Sequence, residues 1–569
     1  MINVIETAKQ ECSESIRQTV KQLYNLDVDP KVEVDFQHGR KADASSAIAF
    51  QLAGKLKKKP DQISQEIAVA LTLHSLVEKA ECLNGFVNFT FSQEYFTKAL
   101  VEASASKEGF EKAVKKKGTV IVEYSCPNVG KPLHVGHIRG TIFGHALKNI
   151  YQQVGYKVVS FNYLGDSGSQ VAKLLLALEI YKDLPEIKTE KDLLAYYVKI
   201  NEEVEKSEEL KKRQREILEA IENGDKKVQA GLDKVRKLSI TAFNNSYDTL
   251  GVEFDEVIGE SAFVKDAKKL VQEAVDSKSK VAFKDKGGEI VAALEPQIPN
   301  TILMRSNGTT LYLARDLALA DYKFSKYTPI QSINITGNEQ NTHFRQVYAI
   351  LQKLGRNYNN KHIGFGLLTF GGKKLATREG TVILLADIIE EAKQEAKEQI
   401  MQREPELKGK ELEARSLAIG LAALKFAVLK VSQEKNIVFD FKQMTSFEGD
   451  TGAYLQYSLV RCKSILEKAK TFKKTKTEPW LNEEEKELLM ILSAYPVVLQ
   501  NAANSLSPHT LCDYLLKTAA SFSKFYSLHS VLNAEDEETK ATRLLLVKAT
   551  GNVLEHGLEI LGITTLKKM

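Results

Sequence analysis

Two histidines, His134 and His137, stand three residues apart in the segment V-E-Y-S-C-P-N-V-G-K-P-L-H-V-G-H-I-R-G-T. A short β-rich run, T-V-I-V-E-Y, leads into the segment, and a helical pattern leaves it with Ile138, Ile142 and Ile150 on its core-facing stripe. The pair therefore falls where a helix begins, and backbone N–H groups at a helix start lack partners and attract anions. Gly136 carries no Cβ, so a nucleotide can approach the backbone closely. Imidazole N–H groups placed there suit a phosphate whose charge builds during reaction. On this segment alone two blander readings stand: half of a zinc site without evident acidic or cysteine partners, or capping and core histidines without chemistry. Neither accounts for the Pro, Gly and Lys residues crowded before the helix.

The elements that must position this pair are legible around it. The helix from about His134 to Val154 ends at Gly155, and a second β-rich run, K-V-V-S-F-N-Y, follows. Strand, helix and strand in that order predict parallel pairing with a right-handed crossover. Residues 170–280 read as mostly charged helix, an insertion into the α/β unit, and strand-like runs return at E-I-V-A-A-L, T-T-L-Y-L-A, S-I-N-I-T-G and H-I-G-F-G-L-L-T-F. Upstream lies a small α+β unit. It holds a helix over I-A-F-Q-L-A-G-K-L-K-K with Ile48, Leu52 and Leu56 in register, a helix near 62–74 and an alternating strand G-F-V-N-F-T-F-S. The lysine-rich K-E-G-F-E-K-A-V-K-K-K-G then reads as a linker. From about 383 onward the pattern is amphipathic helix with no clear strand, which predicts a bundle. The expected fold is α/β: a Rossmann-like parallel-sheet catalytic domain with a helical insertion (106–390), a small N-terminal α+β domain (1–105) and a C-terminal all-α helical bundle (391–569). A length of 569 residues agrees with three such units rather than one core.

Composition narrows the setting. No stretch approaches the roughly 20 apolar residues that cross a bilayer, and the start M-I-N-V-I-E-T-A-K-Q-E-C lacks the features of a secretory or transit segment. A cytoplasmic protein with no membrane partner is expected. Five cysteines, Cys12, Cys82, Cys126, Cys462 and Cys512, lie far apart without a C-x-x-C pair, so reduced thiols and no bound metal are expected. The net charge of +5 is compatible with a nucleic-acid partner without requiring one. G-D-S-G-S at 165–169 looks like the surroundings of a serine-protease nucleophile but departs at Ser169, and it falls directly after the second strand.

H-V-G-H after a strand resembles the H-I-G-H signature of class I aminoacyl-tRNA synthetases, and the longer S-C-P-N-V-G-K-P-L-H-V-G-H is similar to the arginyl family in particular. The second signature of such enzymes, K-M-S-K-S, has its counterpart in Lys374-Leu375-Ala376-Thr377-Arg378-Glu379-Gly380, which resembles the arginyl variant K-M-S-T-R-K-G with Glu379 in place of a lysine. Family members without that lysine use one just before H-I-G-H, and Lys131 stands there. The resemblance implies that Lys131, His134, Gly136 and His137 bind ATP and that Lys374 and Arg378 assist. It also implies an arginine pocket from Glu123, Ser125, Cys126, Pro127 and Asn128, with Cys126 at a position commonly serine. Tyr312 and Asp316 of T-L-Y-L-A-R-D would cover and bind the guanidinium. Gln340 of G-N-E-Q-N-T-H would join Asn128 and His137 at the amino and carboxylate groups. A guanidinium is a planar fork of five donors, so selecting it requires a carboxylate placed for paired hydrogen bonds.

The same resemblance extends over essentially the whole chain. D-T-G-A-Y-L-Q-Y-S-L-V-R-C-K-S-I-L resembles the start of the family's helical anticodon-binding domain, with Tyr454, Tyr457 and Arg461 on one side of a helix and a run of lysines after them. The N-terminal unit is similar to the domain that meets the outer corner of tRNA, with Asn84, Phe86 and Asn88 in its contact segment. The implied partners are ATP with Mg²⁺, L-arginine and the tRNA for arginine, and the implied oligomeric state is a monomer. The implied reaction forms arginyl-adenylate and then transfers arginine to the 3′ end of tRNA. Two rivals are weighed against it. Another class I synthetase of glutaminyl or cysteinyl type lacks support from the pocket carboxylates and from zinc ligands. A non-catalytic RNA-binding relative is kept in view by Glu379. Lys131→Ala is expected to slow arginine activation strongly and Glu379→Ala to leave it near wild type, as read by ATP–pyrophosphate exchange; equal rates for Lys131→Ala and wild type would refute the role given to Lys131.

Overall fold

The computed structural model describes all residues except 1–3, 35–41, 106–114, 182, 185, 223–224, 371–382 and 471–480. Its organising element is a five-stranded sheet in the order Asn360–Phe365, Gln331–Gly337, Thr119–Glu123, Lys157–Leu164, Glu256–Gly259. Every pairing in it is parallel. Thr119–Glu123 and Lys157–Leu164 are nearly continuous apolar runs because both faces of a parallel sheet are covered. The helix Val135–Gln153 crosses between these two strands and buries Ile138, Ile142 and Ile150. The chain order reverses at Thr119–Glu123: the second strand lies on one side of it and the fourth on the other. The carboxyl ends of Thr119–Glu123 and Gln331–Gly337 therefore frame the crevice in which open α/β sheets bind ligands.

Several expectations need correction. T-T-L-Y-L-A does not form a continuous strand: Thr310 makes only an isolated antiparallel bridge to Met304 of the strand Thr301–Met304, and Tyr312 opens the helix Tyr312–Tyr327. Its apolar residues suit either form over so short a run, and the helical period only becomes visible through Leu313, Leu317 and Ala320. The helical insertion does contain helices such as Glu190–Lys206, Glu208–Glu222 and Lys226–Leu250, but its E-V-I-G segment supplies the edge strand Glu256–Gly259. The C-terminal part is not free of strands either. Ile437–Phe439 pairs in parallel with Leu368–Phe370. Leu368–Phe370 falls at the end of the strand-like run H-I-G-F-G-L-L-T-F, whereas the three residues of Ile437–Phe439 are too few to give a period.

The N-terminal unit packs the helices Val4–Tyr24, Ile48–Leu56, Pro60–Ala70 and Gln93–Ser104 on a four-stranded sheet. It docks on the C-terminal bundle: Tyr95 Oη and Ser493 Oγ lie 2.9 Å apart in the interior, and Asn552 Nδ2 donates to the Ala105 carbonyl at 2.6 Å. No helix among the described residues is long and apolar enough to cross a membrane.

One buried charge ties the site's helix to the rest. Arg139 is 1% exposed, and its guanidinium donates to the carbonyls of Gly366 (2.8 Å), Lys435 (2.5 Å) and Ser432 (3.0 Å). A buried charge is costly unless hydrogen-bonded; both Nη atoms are satisfied here, while Nε is buried with no hydrogen-bond partner among the described residues. Removing it would leave those acceptors without partners, at about 1–3 kcal/mol for each one that water cannot reach. Arg139→Met is expected to lower stability by roughly 3 kcal/mol. Arg17→Met, which removes exposed ion pairs to Glu14 and Asp29, is expected to fall within about 0.5 kcal/mol. Urea unfolding of the two variants side by side checks the contrast.

Candidate active site

The loop 124–134 that leads from the first strand to the helix is held in a costly conformation. Ser125 and Cys126 both have left-handed backbone angles, with φ of 73° and 49°. Such angles in non-glycine residues cost energy and persist where the surroundings impose them. Here the surroundings are identifiable. Cys126 N–H donates to Asn162 Oδ1 at 3.2 Å, and Ser125 Oγ lies 2.7 Å from Tyr247 Oη and 2.9 Å from Thr141 Oγ1. Farther along, Gly165 N–H donates to the Pro127 carbonyl at 3.1 Å, and Val129 N–H to the Gly165 carbonyl at 3.0 Å. A Cβ at Gly165 would fall 2.3 Å from Asn128 Oδ1, so a larger residue there would displace the Asn128 side chain. Pro127 is buried and Asn128 exposed at the mouth.

His134 caps the helix Val135–Gln153 instead of lying within it. Its Nδ1 accepts from Gly136 N–H at 3.1 Å, and His137 Nδ1 accepts from His134 N–H at 3.1 Å. Both Nδ1 atoms being acceptors, each neutral ring carries its proton on Nε2, which remains available as a donor. The rings lie 4.1 Å apart. Burial, together with the Lys131 charge, holds His134 below the usual imidazole range. Burial, His134 and Lys131 bring His137 down to about 3. Gly136 is exposed between them. Lys131 Nζ sits 5.6 Å from the Tyr197 ring centroid, close enough for its charge to reach both histidines. Lys374 and Arg378 lie outside the described residues, as does Glu379.

The acidic group forms on the other side of the strained loop. Asp316 stands one turn into the helix Tyr312–Tyr327, and its Oδ2 is 2.6 Å from His343 Nε2. No hydrogen bond to Oδ1 is made by a described residue. Tyr312 is 61% exposed at the rim, with its ring 5.0 Å from that of His343. Glu123 is 3% exposed and both its oxygens are engaged, Oε2 by Lys323 Nζ and Oε1 by Asn334 Nδ2 at 2.7 Å. Its charge is thus already balanced inside the protein. Three groups feel both carboxylates: besides the dominant effect of burial, Glu123 and Asp316 both push up the Cys126 thiol and the Tyr163 and Tyr348 hydroxyls. The carboxylates therefore face one neighbourhood, joined to His137 through Thr141, whose Oγ1 lies within 2.7 Å of the His137 carbonyl and 2.9 Å of Ser125 Oγ. The Tyr163 hydroxyl is buried there without a hydrogen-bond partner among the described residues. Gln340 is exposed at the end of Gln331–Gly337, immediately before the helix Asn341–Lys353.

The reading from sequence missed four of these groups. Lys323 lies on the same helical face as Tyr312 and Asp316, seven residues beyond the latter, so a charged residue on that stripe was the available signal. Arg315, ion-paired to Glu260 at 3.2 Å, and His343 both sit inside the quoted segments but carry no distinctive spacing. Tyr163 resembles any strand tyrosine. Among the described residues no group of three His, Cys, Asp or Glu side chains could hold a metal ion.

The residues expected to meet RNA divide. Arg461 lies 5.3 Å from the Tyr457 ring centroid and 5.1 Å from that of Tyr526, and Tyr454 and Tyr457 are both half-buried, each packed against an apolar cluster. Asn84, with Gly85, makes a hairpin turn with positive φ at both positions. Phe86, 37% exposed, meets Phe50, 47% exposed, with ring centroids 5.1 Å apart. Asn88 turns inward and donates to the Leu83 and Phe86 carbonyls, bracing that hairpin from within.

Three family models match the chain: tRNA synthetases class I (R), catalytic domain, over 98–441; DALR anticodon binding domain over 455–569; and Arginyl tRNA synthetase N terminal domain over 10–91. An arginine–tRNA ligase of Clostridium botulinum is 36% identical over 566 residues, covering 97% of this chain and 99% of that one. One from Clostridium kluyveri is 39% identical over 531 residues, covering 91% and 93%. Among solved structures, an arginyl-tRNA synthetase of Thermus thermophilus matches with a TM-score of 0.81 at 26% identity, covering 99% of this chain and 100% of that one. That of Plasmodium falciparum shares the fold, with a TM-score of 0.81 at 21% identity and 99% coverage of each chain.

The depressed histidines give a signed expectation. Unfolded His137 binds a proton near pH 6.5 and the folded form only near 3. Acid therefore favours the unfolded chain across that window, and the stability present above pH 6.5 declines as pH falls toward 3. His137→Gln is expected to flatten the loss of stability between pH 6.5 and 4.5, measured by thermal unfolding, and a slope unchanged from wild type would contradict a neutral His137.

Proposed function

This chain belongs to the arginyl-tRNA synthetase family, and from that premise we propose how its side chains divide the work of an arginine–tRNA ligase. The observation that carries the reading is the Asp316 carboxylate. Glu123 is balanced by Lys323 and Glu260 by Arg315, which leaves Asp316, with one oxygen uncommitted, as the acidic group awaiting a cation. A guanidinium entering beside it makes a paired, charge-assisted contact, while Tyr312 covers its face from the rim. Glu123 contributes through the buried frame it forms with Lys323 and Asn334. The arginine backbone is then held at the mouth by Asn128, Gln340 and His137, with Ser125, Cys126 and Pro127 shaping the wall.

Class I synthetase chemistry is ATP-dependent. The arginine carboxylate attacks the α-phosphorus in line, and pyrophosphate leaves. The Nε2–H groups of His134 and His137 hydrogen-bond the phosphate as its charge grows, and Lys131 neutralises the leaving end together with Lys374 and Arg378. A neutral imidazole suits this task because it donates without having to lose a proton. Mg²⁺ accompanies ATP as part of that substrate. The terminal ribose hydroxyl of tRNA then attacks the activated carbonyl, so no protein nucleophile is needed, and positioning and electrostatics carry the rate. Asn84 and Phe86 on the hairpin and the Tyr457–Arg461 cluster on the bundle are assigned to tRNA, by stacking and phosphate contact. Asn88, whose amide also braces the hairpin, and Tyr454, within reach of the Arg461 charge, belong to the same proposed contacts. The units 1–105, 106–390 and 391–569 carry these roles in a monomer of the cytoplasm.

ATP–pyrophosphate exchange with each amino acid, with and without tRNA, tests the assignment. Exchange confined to arginine is expected, and no exchange with any amino acid would favour an RNA-binding relative instead. Truncating one partner of a buried charge pair costs about 2–5 kcal/mol, so Asp316→Ala is expected to raise the arginine KM at least ~30-fold. An unchanged arginine KM would remove Asp316 from the socket.

A further inference from the structure

We propose that His343 is a positioning residue for arginine recognition: it fixes the Asp316 carboxylate in the orientation that a guanidinium fork requires. The inference rests on the assignment of Asp316 to the guanidinium and extends it to a residue that does not touch the substrate. His343 Nε2 lies 2.6 Å from Asp316 Oδ2, and the two side chains are only 11% and 18% exposed. Nδ1 of the same ring is buried and has no partner among the described residues. A proton on Nδ1 would be a buried donor without an acceptor, so the ring's proton belongs on Nε2, where it is donated to the carboxylate.

The ring itself is immobilised by its neighbours. Tyr312 lies against it at 5.0 Å and Phe344 meets it edge-on at 5.2 Å and 84°. Phe344 is in turn stacked on His362 at 4.4 Å. A carboxylate on a helix can rotate about its side-chain torsions, and a paired contact with a planar fork tolerates little rotation. His343 takes a single lone pair of Oδ2, which leaves Oδ1 and the remaining pair on Oδ2 for the ligand. Gln340 and His343 also flank the start of one helix, Asn341–Lys353. The segment assigned to the amino-acid end of arginine therefore also sets the group that reads its side chain, and the length between the two ends of the substrate is built into one short stretch of chain.

The test is aminoacylation of tRNA by the full-length enzyme, with arginine and ATP each varied, for His343→Phe, His343→Gln and Asp316→Ala. Phenylalanine keeps the ring packing and loses the N–H; glutamine can place an amide N–H near the position of Nε2. His343→Phe is expected to raise the arginine KM roughly tenfold, the effect of losing a hydrogen bond to a charged group, with the ATP KM and kcat within about twofold of wild type. His343→Gln is expected to restore most of the arginine KM. An arginine KM unmoved by His343→Phe but raised by Asp316→Ala would overturn the positioning role and leave the socket intact. An arginine KM unmoved by Asp316→Ala would sink the socket itself. Equal losses toward arginine and ATP in both His343 variants would mark the residue as a packing element and overturn the proposal.

Discussion

A guanidinium buried among carbonyl oxygens is stable only if all of those oxygens arrive together, and Arg139 makes the site depend on that condition. It stands on the helix that His134 caps, two residues beyond His137. Its acceptors come from Gly366, just before the strand Leu368–Phe370, and from Ser432 and Lys435, just before Ile437–Phe439. Those two strands pair with each other, and the first runs directly toward the segment that holds Lys374 and Arg378. With no carboxylate among these acceptors, the guanidinium keeps its charge, although burial pushes its pKa down to about 10. One side chain thus ties the histidine-bearing helix to the segments just before Leu368–Phe370 and Ile437–Phe439. Loss of any acceptor segment would strand a charge in the interior, so the three move as one piece or not at all.

The sheet provides the second constraint. Because its order reverses at Thr119–Glu123, the crevice between that strand and Gln331–Gly337 is open at the carboxyl ends, and Glu123 pairs in register with Asn334 across it. Two carboxylates facing one crevice would repel each other and raise their own pKa values unless balanced. Lys323 balances Glu123 from the helix that also bears Asp316, and Arg315 balances Glu260 from the position beside it. A single helix therefore delivers both the compensating cations and the uncompensated carboxylate. In the proposed assignment, that accounting leaves Asp316 as the carboxylate for a substrate guanidinium.

What could be read from sequence follows the range of the forces involved. The crossover between Thr119–Glu123 and Lys157–Leu164 was legible because long apolar runs and the period of Ile138, Ile142 and Ile150 are local signals. The short strands Glu256–Gly259 and Ile437–Phe439 were not, since three or four residues become strands only when a partner is already in place. The same distinction holds in the site. His134, His137 and Asp316 were proposed from type and order within motifs. The partners that tune them were not, because Lys323 meets Glu123 across 200 residues and Arg139 meets Lys435 across 296. Asn88 likewise has a partner that local sequence does not announce: its amide donates to the Leu83 and Phe86 carbonyls of the hairpin.

The separation of charge within the site fits the proposal that one crevice takes two substrates of opposite sign. ATP is polyanionic and the arginine side chain is cationic, so a uniform potential would attract one and repel the other. Here Lys131 and the two Nε2–H donors stand at the helix start, where the backbone N–H groups already favour anions. Asp316 lies beyond the strained loop, with Tyr163 and Tyr348 around it. Ser125 and Cys126 form the partition between these zones, and their left-handed backbone is the distortion needed to turn the chain from the strand end into the helix within a few residues. Relaxing that turn would move the histidines and the carboxylate together. The strained turn at Ser125 and Cys126 therefore stands between the strand end that carries Glu123 and the helix start that carries the two histidines.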